Sequence, residues 1–257
     1  MKKLQVTVLG SGTSQGVPVI ACECEVCRSS NMKDKRLRSS ILLSKGGQNV
    51  VIDTGPDFRQ QMLVNNVKTL DAVVFTHEHK DHVAGMDDIR AYNFKQKTDM
   101  DVFATPEVQN ALRRDFHYVF NQNKYPGVPQ VRLHTISDQP FEAGNMIWTP
   151  IDVMHYKMPV KAFRIDDFTY VTDANSISPS EMEKIKGTKY LIINSLRKSK
   201  HISHFNLEEA LEVISEIAPK KAWLTHISHL MGAHDEVSAL LPEGVELAFD
   251  GLTFDCI

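Results

Sequence analysis

Three imidazoles and the Asp81 carboxylate fall within the six residues His77-Glu78-His79-Lys80-Asp81-His82, one residue after an apolar stretch over residues 72–75. In extended backbone, residues two apart face the same side, so His77, His79 and Asp81 point together, and a turn into helix brings His82 round to join them. Left alone, such a group repels itself when protonated and buries unpaired polar atoms. A divalent cation that collects the side chains removes both costs. A metal site where a strand meets a helix is the strongest demand this sequence makes on its fold.

The pattern around that motif is αβ throughout. A strand over residues 5–9 enters the turn Gly10-Ser11-Gly12-Thr13-Ser14-Gln15-Gly16, and residues 40–43 and 49–53 read as a hairpin around Gly46-Gly47. Residues 57–64 are helical, and Val83, Met86, Ile89 and Tyr92 extend a helical spacing over 81–94. A strand over 102–104 and a helix over 106–120 follow, then strands over 131–134, 146–151, 162–165, 170–171 and 190–194. A helix over 207–217 feeds a strand over 222–224 and a final strand pair. With 257 residues, no repeat and no linker rich in Pro, Gly or Ser, one domain over 1–257 is expected, with residues 116–128 read either as a lid or as a cover for the core.

Charge and composition exclude some classes. A net charge of −3 gives no global field toward nucleic acid or an anionic membrane. The N-terminus alternates like a strand and lacks the apolar block of a secretory signal, and no run reaches the roughly 18 apolar residues of a membrane span. A cytoplasmic protein with no membrane partner is expected.

Three of the four cysteines, Cys22, Cys24 and Cys27, crowd into one loop, poor spacing for disulfides among themselves and good spacing for one ion. A structural zinc wants four soft or borderline ligands in a tetrahedron, and His229 in Thr225-His226-Ile227-Ser228-His229 is the best fourth. Cys256 reads as an ordinary small residue.

The run His77 to His82 resembles the His-x-His-x-Asp-His signature of the metallo-β-lactamase superfamily without a gap. That resemblance implies an α/β fold, an αββα sandwich of two mixed β-sheets flanked by helices. It also implies further ligands, which this chain supplies as His155, Asp173 and His226, each after a short apolar strand. By resemblance, His77, His79 and His155 hold one metal, Asp81, His82 and His226 the other, and Asp173 bridges them. Asp53 matches the family's supporting acid, and a carboxylate there orients a ligating imidazole by accepting its free N–H. Gly10-Ser11-Gly12-Thr13, the Cys-x-Cys-x-x-Cys loop and the ending with Phe249-Asp250-Gly251 look like the cyclic phosphodiesterases of the carbon–phosphorus lyase pathway.

What this implies is a metal-dependent phosphoric diester hydrolase using a hydroxide activated by two divalent ions of zinc, manganese or iron. Asp81 and His204 are its catalytic residues, His204 as general acid by the same likeness. The basic run Arg197-Lys198-Ser199-Lys200 and the start of the 207–217 helix lie beside His204 and read either as a phosphate seat or, the commoner case for a charge run, as a solvated loop. A metal pair does not by itself choose among phosphodiesters, thioesters and β-lactams; the likeness favours a small phosphodiester, with ribose cyclic phosphates leading. Two alternatives remain, a tRNA 3′-end processing endonuclease and a non-catalytic metal-binding accessory protein of cofactor biosynthesis. The mild acidity and the absence of a basic, glycine-rich arm weigh against a nucleic-acid partner. A homodimer is left open.

Overall fold

The computed structural model describes residues 2–123 and 125–257. Met1 and Lys124, the latter within the 116–128 stretch, lie outside the described residues. Apolar side chains on both faces of short strands set the architecture. β1 (Leu4–Gly10), β2 (Ser40–Lys45), β3 (Gln48–Ile52), β4 (Ala72–Val74), β5 (Met100–Ala104) and β6 (Val131–Thr135) lie in chain order across one sheet, and pairing changes from antiparallel to parallel at β3. β7 (Phe141–Ala143), β8 (Met146–His155), β9 (Met158–Ile165), β10 (Phe168–Val171), β11 (Ser176–Ile177), β12 (Tyr190–Asn194), β13 (Lys221–Thr225) and β14 (Val245–Leu247) build the second. Its order is β11-β8-β9-β10-β12-β13-β14, with β7 also paired to β8.

Alternation sorts the core into three parts. Val50, Ile52, Ile192 and Trp223 turn into the space between the sheets. Their neighbours turn outward, Val51 onto helices over the first sheet and Leu191, Ile193, Ala222 and Leu224 onto helices over the second. Helix, sheet, sheet and helix follow one another, the expected αββα sandwich. The parallel strands β3 and β4 of one sheet and β10, β12 and β13 of the other carry polar residues at their carboxyl ends, where α/β sheets place their sites.

Three local expectations need correction. The 81–94 spacing is not one helix, but Lys80–Val83, a 3-10 turn over Met86–Ile89, and Arg90–Gln96. Gly85 breaks it: its N–H bonds the Thr54 carbonyl, and a Cβ there would sit 2.1 Å from the Gly55 oxygen. The helix begun at Pro106 stops at Asp115, and a separate turn covers His117–Phe120. Phe116 and Val119 are buried against the first sheet, so this part of the 116–128 stretch covers the core. The last two strands do not pair with each other. After β14, a turn through Gly251 at φ 89° carries the chain to the other sheet, where β15 (Thr253–Cys256) pairs with β1. Among the described residues no helix is long and apolar enough to cross a membrane.

Candidate active site

Each histidine of the motif is held by its Nδ1 atom or by the turn that carries it. Asp53, just past β3, takes the Thr76 N–H and hydroxyl at 2.8 Å each, and lies 2.7 Å from His82 Nδ1. Because the Thr76 hydroxyl donates to Asp53, it accepts from His77 Nδ1, 2.9 Å away. His155 Nδ1 donates to the Ser203 carbonyl at 2.8 Å. With Nδ1 carrying the proton in all three rings, each Nε2 presents a lone pair to the centre. The support expected of Asp53 is thus present in its geometry.

Asp173 lies between the histidines. Its Oδ1 is 3.1 Å from His226 Nδ1 and 3.4 Å from His82 Nε2, while Oδ2 is 3.8 Å from His77 Nε2. Potential ligand atoms converge within 4.8 Å in three overlapping groups. Asp81, His82, Asp173 and His226 form one, His77, His79 and Asp173 a second, and His155, Asp173 and His204 a third. His155 therefore stands nearer His204 than the expected set of His77, His79 and His155 implies, although its ring remains 5.1 Å from that of His79. His204 lies between its neighbours, its ring 4.5 Å from the tilted His155 ring and stacked 4.9 Å from that of His226.

Electrostatics call for added positive charge at the centre. Burial works to lower the pKa of His82, yet Asp173, Asp53 and Asp81 outweigh it and raise it well above the ordinary value. Burial, with the neighbouring His82, drives His77 well below it. Nε2 of both rings is buried without a hydrogen-bond partner, a cost that only an ion or a ligand at the centre removes. The donor set, imidazole nitrogens with two carboxylates, suits divalent zinc, manganese or iron. Asp53, Asp173 and His226 also sit at φ 64°, 56° and 55°. Left-handed backbone at three non-glycine positions is strain of the sort functional sites retain.

Sequence reasoning missed several supports. Thr13 and Ser39 hydroxyls lie 3.3 and 3.2 Å from the two ring nitrogens of His226. Asn194, at the end of β12, bonds both the N–H and the carbonyl of Ala174 at 2.8 Å and so fixes the turn that carries Asp173. A polar residue closing an otherwise apolar strand was the available signal. Of the two readings of the 197–200 run, the solvated loop is the one found. Asn206 and Glu209 cap each other across the start of the Leu207–Ile217 helix, and the Leu207 N–H bonds the Arg197 carbonyl. The Arg197 guanidinium folds onto the Ser199 and Lys200 carbonyls, leaving residues 198–200 as an exposed loop. Burial and His226 hold His204 down at about 3, a neutral ring at pH 7 whose Nδ1 is buried and unpartnered.

The second cluster lies along the chain from His226. Sγ atoms of Cys22, Cys24 and Cys27 stand 3.2, 3.3 and 3.6 Å from His229 Nδ1, and all four ligand atoms converge within 4.8 Å. The Cys27 backbone N–H and then His229 pull the Cys24 thiol down to about 6, favouring the thiolate that binds metal. Hydrogen bonds between Thr13 and Ile227 and between Ile227 and Ser11 tie the loop's base to the 226–229 segment. Cys256 lies apart, packed on the inter-sheet core.

A sequence model of the Beta-lactamase superfamily domain matches residues 48–227. A Porphyromonas gingivalis protein named octanoyltransferase is 38% identical over 252 residues, 97% of this chain and 51% of its own length. The chain spans about half the length, or less, of the curated relatives it matches. Among solved structures, a diphosphatase from the PhnP family superposes with a TM-score of 0.94 at 35% identity, covering 100% of this chain and 98% of the other. Zinc-bound PqqB from Methylobacterium extorquens reaches 0.80 at 19% identity over 98% and 100%, a likeness of fold.

Proposed function

This chain belongs to the metallo-β-lactamase superfamily and within it to the PhnP family, and from that membership we propose that it is a metal-dependent hydrolase of a small, cyclic phosphodiester. The observation that carries the reading is Asp173, which turns one oxygen toward His82 and His226 and the other toward His77, a carboxylate set to be shared by two ions. His77, His79 and His155 would hold one ion, Asp81, His82 and His226 the other. Two divalent cations supply hydroxide at neutral pH and neutralise charge on phosphoryl oxygens.

The chain's own residues do the positioning. Asp53, Thr76 and the Ser203 carbonyl fix the tautomers of His82, His77 and His155. Asn194 fixes the Asp173 turn through Ala174. His204, between the His155 and His226 rings, would act as general acid on the leaving oxygen only after the negative charge of a bound phosphate raises it from the neutral form it holds in the free site. Cys22, Cys24, Cys27 and His229 would hold a structural zinc. A second reading, hydrolysis of a phosphoanhydride, is favoured by the similarity to a diphosphatase and asks the same of every residue named.

The test is metal content with turnover of bis-p-nitrophenyl phosphate, a 2′,3′-cyclic nucleotide, a ribose cyclic phosphate, a diphosphate, a tRNA precursor and an octanoyl thioester. The expected result is about three ions per chain and cleavage of the small diesters, lost at least about a hundredfold in Asp81→Ala. Full loading with every diester and diphosphate intact refutes the proposal, and turnover of the thioester alone replaces it with acyl chemistry.

A further inference from the structure

Between the helices Phe58–Val64 and Arg90–Gln96, on the outer face of the first sheet, the helix layer leaves a cavity of about 270 Å³. Phe58 and Met62, one helical turn apart, and Tyr92 from the other helix make its floor and are buried, while Leu63 at its lip is 59% exposed. Val67 and Lys68 complete the lining at one end. Two hydrogen bonds bridge the helices there, the Tyr92 hydroxyl to the Val67 carbonyl at 3.0 Å and the Lys95 ammonium to the Lys68 carbonyl at 2.8 Å. The groove is therefore preformed, and none of the His or Asp metal-ligand candidates lines it.

Charge narrows what could fill it. Three cations, Arg59, Lys68 and Lys95, line the groove against one carboxylate, Asp88, in a chain whose net charge is −3. Neighbouring acids are engaged elsewhere, Asp57 with Arg38 and Asp87 with Arg90. Among the described residues Arg59 and Lys68 enter no ion pair, and Lys95 commits one of its three donors to the Lys68 carbonyl. An apolar floor with a few convergent charges is the composition of a small-molecule site, and cations gathered there without partners attract an anion. Size narrows it further. At about 30 Å³ for a group the size of a water or a methylene, the cavity holds roughly nine such groups. That is room for one short chain, and too little for the side chains that a docked helix inserts over two turns.

We propose that this groove binds a single-chain anionic amphiphile, a medium-chain fatty carboxylate, with its carboxylate beside Lys68 and Lys95 and its chain over Met62, Tyr92 and Phe58. The site is separate from the His/Asp cluster and independent of what that cluster hydrolyses.

The test is calorimetric titration of the metal-loaded protein with decanoate and with decyltrimethylammonium, which carries a chain of similar length and the opposite charge. One decanoate per chain is expected, at a Kd under about 1 mM, with the cationic amphiphile at least about tenfold weaker. Lys68→Glu should weaken decanoate about five- to tenfold. Ala91 also lines the groove and is exposed, so Ala91→Trp fills the space without disturbing the core and should abolish binding, with the thermal midpoint unchanged. No saturation by about 1 mM decanoate, equal binding of the two amphiphiles, or binding that survives Ala91→Trp overturns the proposal, the last by placing decanoate elsewhere on the protein. Sedimentation with phosphatidylglycerol vesicles is the remaining arm. If the protein pellets with them and Lys68→Glu releases it, while decanoate does not bind, the groove meets a membrane surface and the soluble ligand is refuted.

Discussion

Around the His/Asp cluster, the ligating side chains meet second polar partners from strand ends and the loops that follow them: Asp53 on His82, Thr76 on His77, the Ser203 carbonyl on His155, Thr13 and Ser39 on His226. Around Cys22, Cys24, Cys27 and His229 there is little beyond the ligands themselves, a Val19 N–H at 3.4 Å from Cys27 Sγ and a small apolar cluster of Val17, Val26 and Cys27. The first set of side chains is positioned by two sheets whether or not an ion arrives. The second comes from a surface loop held by a few backbone hydrogen bonds, the Lys35 ammonium on the Cys27 carbonyl and a small apolar cluster. On the reading proposed above, a metal at the first site would serve chemistry and a metal at the second would serve folding.

The largest effect that separates them is expected at Asp173. Asp173→Asn keeps the shape but removes the shared charge, and turnover should fall at least about a thousandfold with metal content reduced, while the thermal midpoint moves by no more than about 2 °C. A comparable loss of stability would mean that the first site, too, depends on its metal to fold. Next comes Cys27→Ser, which should lower the thermal midpoint by roughly 5–10 °C and open residues 18–31 to protease, with the catalytic ions retained. An unmoved midpoint breaks the contrast from the other side.

The smallest effect tests the ground beneath the loop. Arg36, buried, donates to the Ser11 hydroxyl at 2.9 Å and meets His234 Nδ1 at 3.1 Å. Burial, helped by Arg36, holds His234 at about 4 against an ordinary 6.5. The unfolded chain therefore takes up a proton between pH 6.5 and 4 that the folded one refuses, so this stability is full above pH 6.5 and is lost as pH falls toward 4. Urea midpoints at pH 7 and pH 5 should show a difference on the order of 1 kcal/mol that shrinks in His234→Gln. An equal difference in the variant would assign acid sensitivity to the His/Asp cluster instead.

The comparison also explains what was legible in the sequence. Ligands at strand ends leave a mark, an apolar run followed by His or Asp, and so His155, Asp173 and His226 stand out beside the motif at His77. The cysteine loop is legible because three ligands are local, and His229 because it follows a recognisable strand end. Partners that arrive from elsewhere leave none. Thr13 and Ser39 reach His226 across more than 180 positions, and nothing in their own neighbourhood says so. Gly85 looks tolerable inside a helix until the Gly55 oxygen is found where its side chain would be. The two C-terminal strands each read as β, but only the turn at Gly251 decides that they part to separate sheets. The helix start is closed to a phosphate for a related reason: an Asn and a Glu three residues apart spell a capping box that fills it.

The return of β15 to β1 has a consequence for how such a unit is combined with others. Leu4 is paired with Cys256, while the other end of β1 runs into the turn that reaches His226 through Thr13. Seven residues of strand span about 20 Å. Chain extending past either terminus would depart side by side, from the pole away from the metal ligands. The fold is thus a cassette with its two leads at the back, open to joining with a neighbour while the mouth stays clear.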